Sequence, residues 1–201
     1  MTVQRITSLE VKKAREAFET NEPRDLFYRA ATELVDLALR RATSLTLAEA
    51  LAVLLQTWNR AYYRYRKFDS AHFASIEGLL SKHQAALARY RNQAIDDLDQ
   101  QDGTTVTNLF QAFEDVLGPV GAAKALHLLA PRLFPLWDRA IAEAYDLKLG
   151  ARGSNGECYW RFVLISQRQC LELKREAPDC QNPLKAIDEY NYCKHTKRWE
   201  L

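Results

Sequence analysis

The sequence predicts an all-α protein of about eight to ten helices. Apolar residues recur at helical spacing along most of the chain, and residues that favour the N-cap position precede several of these stretches. Glycine (7 residues) and proline (6 residues) are too scarce for a β-rich fold with many tight turns. The 201 residues contain no internal repeat or long linker, so we expect a single helical domain over residues 1–201.

The first half of the chain contains four predicted helices. Each begins at a residue suited to a helix start, and Thr46 with Glu49 has the spacing of a capping box. The predicted helices begin at Ser8, Pro23, Thr46 and Ser70, and they end near residues 20, 42, 67 and the early 90s.

The second half continues as helix after an interruption at Gly103. Asp138 stands where an N-cap residue would start a short helix through Tyr145. Residues 150–157 are the clearest loop. The remaining predicted helices cover residues 107–117, about 121–131, 158–176 and 184–195.

Composition excludes several classes of protein. No stretch approaches the apolar length of a membrane span, and the N-terminal residues lack the apolar core of a signal peptide, so we expect a cytoplasmic protein. The four cysteines contain no C-x2-C pair and the four histidines show no metal-binding spacing, so we expect free thiols and no metal. No phosphate-binding loop and no nucleophile turn is present, and we expect no cofactor.

Positive charge is concentrated in one stretch, although the net charge is only +2. Residues 51–95 hold seven basic and two acidic side chains, and residues 96–102 then hold four acids and no base. Two interpretations remain open for this stretch. It forms a phosphate-facing surface, or its cations lie on solvated helix faces.

Residues 116–141 read VLGPVGAAKALHLLAPRLFPLWDRAI, in which a tight turn joins two helices and an apolar-proline segment ends in an aspartate. This pattern resembles the helix–hairpin–helix DNA glycosylase superfamily, with Pro119, Val120 and Gly121 at the hairpin, Ala125 at a small position and residues 134–138 as the aspartate segment. The resemblance implies a hairpin at about 107–130, a pocket between two helical lobes, and a monomer whose partner is DNA.

A turn that opens a helix leaves backbone N–H groups that can bind phosphate without reading sequence. We expect the hairpin to contact the DNA backbone in this way, through Gly118, Gly121, Ala122 and Lys124. The alternative is an ordinary corner between two helices. The hairpin departs from the family pattern at its first glycine, where this chain has Pro119 after Gly118.

Asp138 is the main candidate catalytic residue, and Lys124 is the second candidate. A fixed carboxylate beside the sugar stabilises the positive charge that develops as a base leaves, and it can orient or deprotonate water. The alternative is that Asp138 only caps a helix, although one carboxylate can do both. Lyase members of the family carry a lysine where this chain has Ala123. Lys124 follows one residue later, so we expect it to point away, towards a phosphate, and we expect a monofunctional enzyme.

Residues 56–67 combine aromatic, amide and basic side chains, which one continuous helix would sort onto separate faces. A flipped base needs an aromatic surface and hydrogen-bonding amides, and phosphates need cations. The alternative is that the aromatic residues pack in the core and the cations are solvated. The base contacts predicted here are Gln56, Trp58, Asn59, Tyr62 and Tyr63, and the predicted backbone contacts are Arg60, Arg64 and Lys67.

Two functions therefore compete. The first is a DNA glycosylase that flips and excises a modified base, in repair or in defence against modified phage DNA. The second is a non-catalytic helical module that binds DNA or a protein through the hairpin. An enzyme requires Asp138 beside a cavity lined by the helix around residues 55–66, whereas a module requires only a basic surface.

His127, among apolar residues, is predicted to be buried and hydrogen-bonded.

Overall fold

A computed structural model describes residues 5–23 and 25–201. Within these residues the chain forms ten α-helices and no β-strand, which confirms the all-α prediction. The helices are α1 Ser8–Asn21, α2 Asp25–Leu39, α3 Leu47–Trp58, α4 Arg60–Tyr63, α5 Ser70–Lys82, α6 Gln84–Arg91, α7 Gly103–Leu129, α8 Arg139–Ala144, α9 Gly156–Glu176 and α10 Pro183–Asn191. Two 3₁₀ turns precede α7, and a π-helical turn, Tyr192–Lys197, follows α10.

Polar side chains at the N-termini explain where several helices begin. Thr46 and Glu49 form the predicted capping box at the start of α3. At α1 and α5 the residue before the predicted cap does this work: Thr7 accepts from the backbone N–H of the third helical residue, and Asp69 caps α5. The start of each of these helices was therefore predicted to within one residue.

The predicted helix over residues 46–67 is wrong, because α3 ends at Trp58. Asn59 leaves the helical conformation at φ −104° and ψ 27°, and α4 then forms a separate turn of four residues. The predicted helix from Ser70 to the early 90s is likewise divided at His83 into α5 and α6. Neither break lies at a glycine or proline, so the usual sequence signals were missing.

The hairpin takes the form of a sharp bend inside α7. Gly118 has φ 72° and ψ 167°, a conformation that favours glycine, and Pro119 opens the helix that continues to Leu129. The expected turn at Pro119–Gly121 therefore lies one residue earlier. Gly103, which we expected to interrupt the chain, is the first residue of α7.

The buried apolar side chains form one hydrophobic cluster. α7 lies at its centre and contacts α2, α3, α5 and α9, while α1 packs against α10 and the π-helical turn. An aromatic group joins α7 to α9, with Phe110 and Tyr159 stacked at 4.1 Å between ring centroids and Trp137 edge-on to both. This group holds the segment before α8 against the hairpin.

Candidate active site

A cavity of about 120 Å³ lies between α1, α3, α7, α10 and the segment before α8. Aromatic side chains form much of its wall: Phe18, Trp58, Trp137 and Tyr192. Six charged residues also line it: Glu22, Lys124, Asp138, Lys185, Asp188 and Glu189. The cavity therefore combines an aromatic surface with carboxyl and ammonium groups.

The segment over residues 134–138 is held by hydrogen bonds along its whole length. The Phe134 carbonyl accepts from His127 Nδ1 at 2.8 Å, and the Pro135 carbonyl accepts from the Tyr159 hydroxyl at 2.8 Å. The Leu136 N–H donates to Asp188 Oδ1 at 3.0 Å. Beyond these bonds, Trp137 Nε1 donates to the Pro119 carbonyl at 3.1 Å, which ties the segment to the hairpin.

Asp138 ends this segment with both carboxylate oxygens engaged. Oδ1 accepts from the Ile141 N–H at 2.9 Å, so Asp138 is the N-cap of α8, as predicted. Oδ2 accepts from the Thr196 hydroxyl at 2.6 Å. The same side chain lines the cavity. Asp138 therefore caps α8 and lines the cavity at the same time. The two hydrogen bonds fix the orientation of its carboxylate.

Thr196 belongs to the π-helical turn that follows α10, and no local sequence signal marks it as a site residue. Such turns are rare and concentrate at functional sites. Arg198, just after this turn, has a left-handed conformation with φ 56°, and the Trp199 N–H returns to the Cys193 carbonyl at 3.0 Å. The chain therefore folds back on itself after the π-helical turn, and the Thr196 hydroxyl lies next to the Asp138 carboxylate.

Lys124 lines the same cavity as Asp138, and its ammonium group donates to the Trp58 carbonyl. The expectation that Lys124 points away is therefore wrong. Gly121 faces Asn59 at the end of α3, and Lys124 lies about one helical turn later, so its side chain reaches the same end of α3. A helix C-terminus carries partial negative charge, which favours a cation there.

Behind Trp58 lies a buried hydrogen-bonded chain. The Trp58 ring stacks on Tyr28 with centroids 5.1 Å apart, and the Tyr28 hydroxyl lies 3.0 Å from His127 Nε2. His127 is buried and hydrogen-bonded, as predicted, and burial lowers its pKa to about 4. The ring is therefore neutral, with Nδ1 donating to Phe134 and Nε2 accepting from Tyr28.

Asp188 is the most buried carboxyl group of the cavity, with its side chain 2% exposed. Burial raises its pKa well above the ordinary value. Glu189 is also partly buried, and burial raises its pKa as well. Sequence reasoning missed both residues. Asp188 follows Leu184 by four residues and so lies on the apolar face of α10, and a carboxylate on such a face is the signal that was available.

Asn59, Tyr62 and Tyr63, which we expected to contact a base, lie outside the cavity lining. Asn59 Nδ2 donates to the Leu117 carbonyl at 3.4 Å, and the Tyr62 hydroxyl donates to the Val116 carbonyl at 2.7 Å. They satisfy carbonyls that the bend at Gly118 leaves open.

Tyr63 instead pairs with His72, at 3.0 Å between its hydroxyl and Nε2. Gln56 is exposed and lies outside the cavity. Trp58 is thus the one predicted base contact that lines it.

Gly118, Gly121 and Ala122, which we expected to contact phosphate, are buried in this structure. A Cβ atom at Gly121 would lie 2.5 Å from Asn59 Nδ2, and one at Gly118 would lie 3.1 Å from the Tyr62 ring. The small residues of the hairpin therefore allow α3 and α4 to pack closely on it.

The basic stretch divides into two parts. Arg60, Arg64 and Lys67 are exposed, on and after α4. Arg89 instead pairs with the buried Asp102, and Arg91 donates to the Leu129 carbonyl. The first part thus offers exposed cations to a partner.

Among the described residues, no group of three or more histidine, cysteine, aspartate or glutamate side chains is arranged to hold a metal ion. The four cysteines are free thiols, as predicted. No helix in the described part of the chain has the length and apolar character needed to cross a membrane. Comparisons with known protein families, curated proteins and solved structures find no match to this chain. What the cavity can do therefore follows from its own residues.

Proposed function

We propose that this protein is a DNA glycosylase that excises a modified base from DNA. The observation that carries the proposal is a carboxylate, Asp138, fixed by two hydrogen bonds on the wall of a cavity that also has an aromatic surface at Trp58. A flipped base stacks on such a surface, and its sugar then lies at the cavity mouth. The protein acts as a monomer in the cytoplasm.

Asp138 stabilises the positive charge that develops on the sugar as the glycosidic bond breaks. Because capping and Thr196 hold the carboxylate in place, it needs no rearrangement when that charge appears. A carboxylate oxygen also accepts a hydrogen bond from a water molecule and takes its proton as the water oxygen bonds to C1′ of the sugar, which leaves an abasic site. The base leaves with the electron pair of the broken glycosidic bond and takes up a proton from solvent.

Lys124 supplies charge and not a covalent bond. An amine nucleophile needs a free lone pair, and the Lys124 ammonium is instead a donor to the Trp58 carbonyl at the end of α3. The enzyme is therefore monofunctional. Borohydride treatment of a reacting mixture should trap no protein–DNA adduct, and an adduct that disappears in Lys124→Ala would contradict this.

The DNA backbone lies along α4 and the residues after it. Arg60, Arg64 and Lys67 are exposed, and Tyr65 between them is 90% exposed. Exposed cations neutralise phosphates, and an exposed aromatic ring among them can enter a gap in the base stack. α4 packs on the hairpin beside α3, whose last residue Trp58 lines the cavity, so this surface lies near the cavity.

The test is base release from a panel of DNAs scored for abasic sites. The panel contains oxidised purines, alkylated bases and phage DNA with glucosylated hydroxymethylcytosine. We expect release from one class, slowed about a thousandfold by Asp138→Asn. The matched control is Asp146→Asn, an exposed aspartate in the turn after α8 whose positive φ suits asparagine. DNA binding without release from any substrate would contradict the proposal and favour the non-catalytic module.

A further inference from the structure

The outer face of α9 carries a regular stripe of side chains. Its inner face packs into the hydrophobic cluster through residues such as Tyr159, Phe162 and Leu173. From the start of α9 to Leu171, the exposed residues follow one another at alternating spacings of four and three positions, and Arg175 continues the series. This is the spacing at which one helix packs along another. The stripe comprises Glu157, Arg161, Leu164, Arg168, Leu171 and Arg175.

Arginine and leucine alternate along this stripe. Leu164 is 37% exposed and Leu171 is 41% exposed, so both leave apolar surface in contact with water. An open groove runs along the same face, and both leucines line it together with Arg168 and Arg175. When two helices pack, grooves between rows of side chains receive the side chains of the second helix. The face therefore presents apolar contacts between regularly spaced cations.

Two of these arginines have no ion-pair partner. Among the described residues, no carboxylate lies at ion-pair distance from Arg168 or Arg175, although Glu172 lies about one turn from each of them on α9. Arg15 on α1, by contrast, pairs with Glu19 one turn away at 3.1 Å. The guanidinium groups of Arg168 and Arg175 are thus available to carboxylates of another molecule.

We propose that the outer face of α9 binds an acidic amphipathic helix of a partner protein. Leucines of that helix pack on Leu164 and Leu171, and its carboxylates pair with Arg168 and Arg175. Two helices in contact over a few turns bury little area, so we expect reversible binding whose rate and specificity depend on charge. This interaction is separate from base excision and does not depend on it.

Charge argues against a second copy of α9 as the occupant. A parallel pairing would place each arginine beside its own counterpart, and an antiparallel pairing centred on Arg168 would bring Arg161 next to Arg175. Like charges that face each other across an interface are costly. DNA also fits this face less well, because the two leucines would lie against its polar backbone.

The probes are two synthetic peptides, each of three repeats, with glutamate and leucine on one face of an alanine-rich helix. The first repeats Glu-Ala-Ala-Leu-Ala-Gln-Ala, and the second repeats Glu-Gln-Ala-Ala-Leu-Ala-Ala. Glutamate can therefore lie beside arginine, and leucine beside leucine, in either chain direction. Fluorescence anisotropy of the labelled peptide measures binding to the full chain.

We expect one of the two peptides to bind with a dissociation constant on the order of 10 µM. Raising the salt concentration should weaken this binding about fivefold, because salt screens exposed charges. The same peptide with lysine in place of glutamate should bind about tenfold more weakly or not at all. Equal binding of the glutamate and lysine versions, or no binding of either glutamate peptide, would overturn the inference.

A leucine variant tests the apolar contacts. Leu164→Gln combined with Leu171→Gln keeps the charge of α9 but removes its exposed apolar surface, and we expect it to bind the peptide about tenfold more weakly. The matched control is Leu26→Gln, at an exposed leucine of α2, which should bind as the parent does. An equal loss in variant and control would overturn the assignment to α9.

An arginine variant tests the charge. Arg168→Glu combined with Arg175→Glu should bind the glutamate peptide about tenfold more weakly and should gain affinity for the lysine version. The control, Lys12→Glu combined with Lys13→Glu, makes the same change in charge at exposed positions of α1 and should do neither. A variant that keeps the preference for glutamate would overturn the role of the two arginines.

Two further measurements distinguish the other occupants. Self-association of the parent in sedimentation equilibrium that the leucine variant loses would assign the face to a second copy. DNA binding weakened more by the arginine variant than by its α1 control would assign the face to DNA, and either result would overturn the inference. Base release should be the same in the parent and the leucine variant, because this face lies outside the cavity lining, so the two proposals fail separately.

Discussion

Residues 134–138 and residues 60–67 border the same hairpin but are held in different ways. In the first segment every residue from Phe134 to Asp138 makes a hydrogen bond to another part of the chain. In the second, the Tyr62 and Tyr63 hydroxyls are bonded, while Arg60, Arg64 and Lys67 extend into solvent. A group that acts on a bond must be fixed, whereas cations that meet a flexible polyanion need only be near it.

The largest effect is expected at Asp138. Asp138→Asn keeps a side-chain oxygen to cap α8 but removes the negative charge, so base release should fall about a thousandfold. DNA binding should change little, because the cations proposed to contact DNA lie on residues 60–67. Release is measured in single turnover and binding by fluorescence anisotropy, and equal turnover with Asp146→Asn and Asp138→Asn would remove Asp138 from the mechanism.

Asn59 tests whether the junction of α3 and α4 is structural. Asn59→Ala removes the bond to the Leu117 carbonyl and leaves space over Gly121, so we expect a loss of about 1–3 kcal/mol in the free energy of unfolding. Substrate preference should stay as in the parent. Chemical denaturation measures the loss, and Asn21→Ala, an exposed asparagine bonded within its own helix, is the control. A changed substrate preference would instead indicate that Asn59 contacts the base.

Thr196 should affect rate more than stability. Thr196→Val keeps the shape but removes the hydroxyl that donates to Asp138, and we expect base release to slow about tenfold with KM unchanged. Thr196→Ser retains the hydroxyl and should restore the rate. If valine and serine variants release base at the same rate, Thr196 does not position the carboxylate.

The smallest effect is expected on the exposed segment. Arg64→Ala should weaken binding to all DNA sequences equally and reduce the slope of log affinity against log salt by about one. Stability should not change, since Arg64 is exposed. Binding measured over a salt series gives the slope, and a slope identical to that of the parent would exclude Arg64 from backbone contact.

Local signals in the sequence predicted local structure well. The capping box of Thr46 with Glu49 and the cap at Asp138 depend on residues three apart, and both are in the structure. The break at Asn59 could not be predicted in this way, because no glycine or proline marks it. The Asn59 side chain contacts the bend around Gly118, which is far away in the sequence.

The charged wall of the cavity shows the same limit. The aspartate segment and Trp58 were singled out from the sequence, but Asp188 and Thr196 act through contacts made across the fold. Leu136, for example, is 52 residues from Asp188, which accepts its N–H. The direction of the Lys124 side chain also depends on where α3 ends. The position of Lys124 along α7 does not reveal the end of α3, so its direction could not be predicted from α7 alone.

The composition of the cavity also bears on folding kinetics. Its walls come from α1, α3, α7 and α10, so it exists only after segments far apart in the sequence have met. Closing such loops is slow compared with forming single helices. During refolding, helical circular dichroism should recover first, and the fluorescence of Trp58 stacked on Tyr28 should follow later. A partly folded chain would thus be helical while its candidate site is still incomplete.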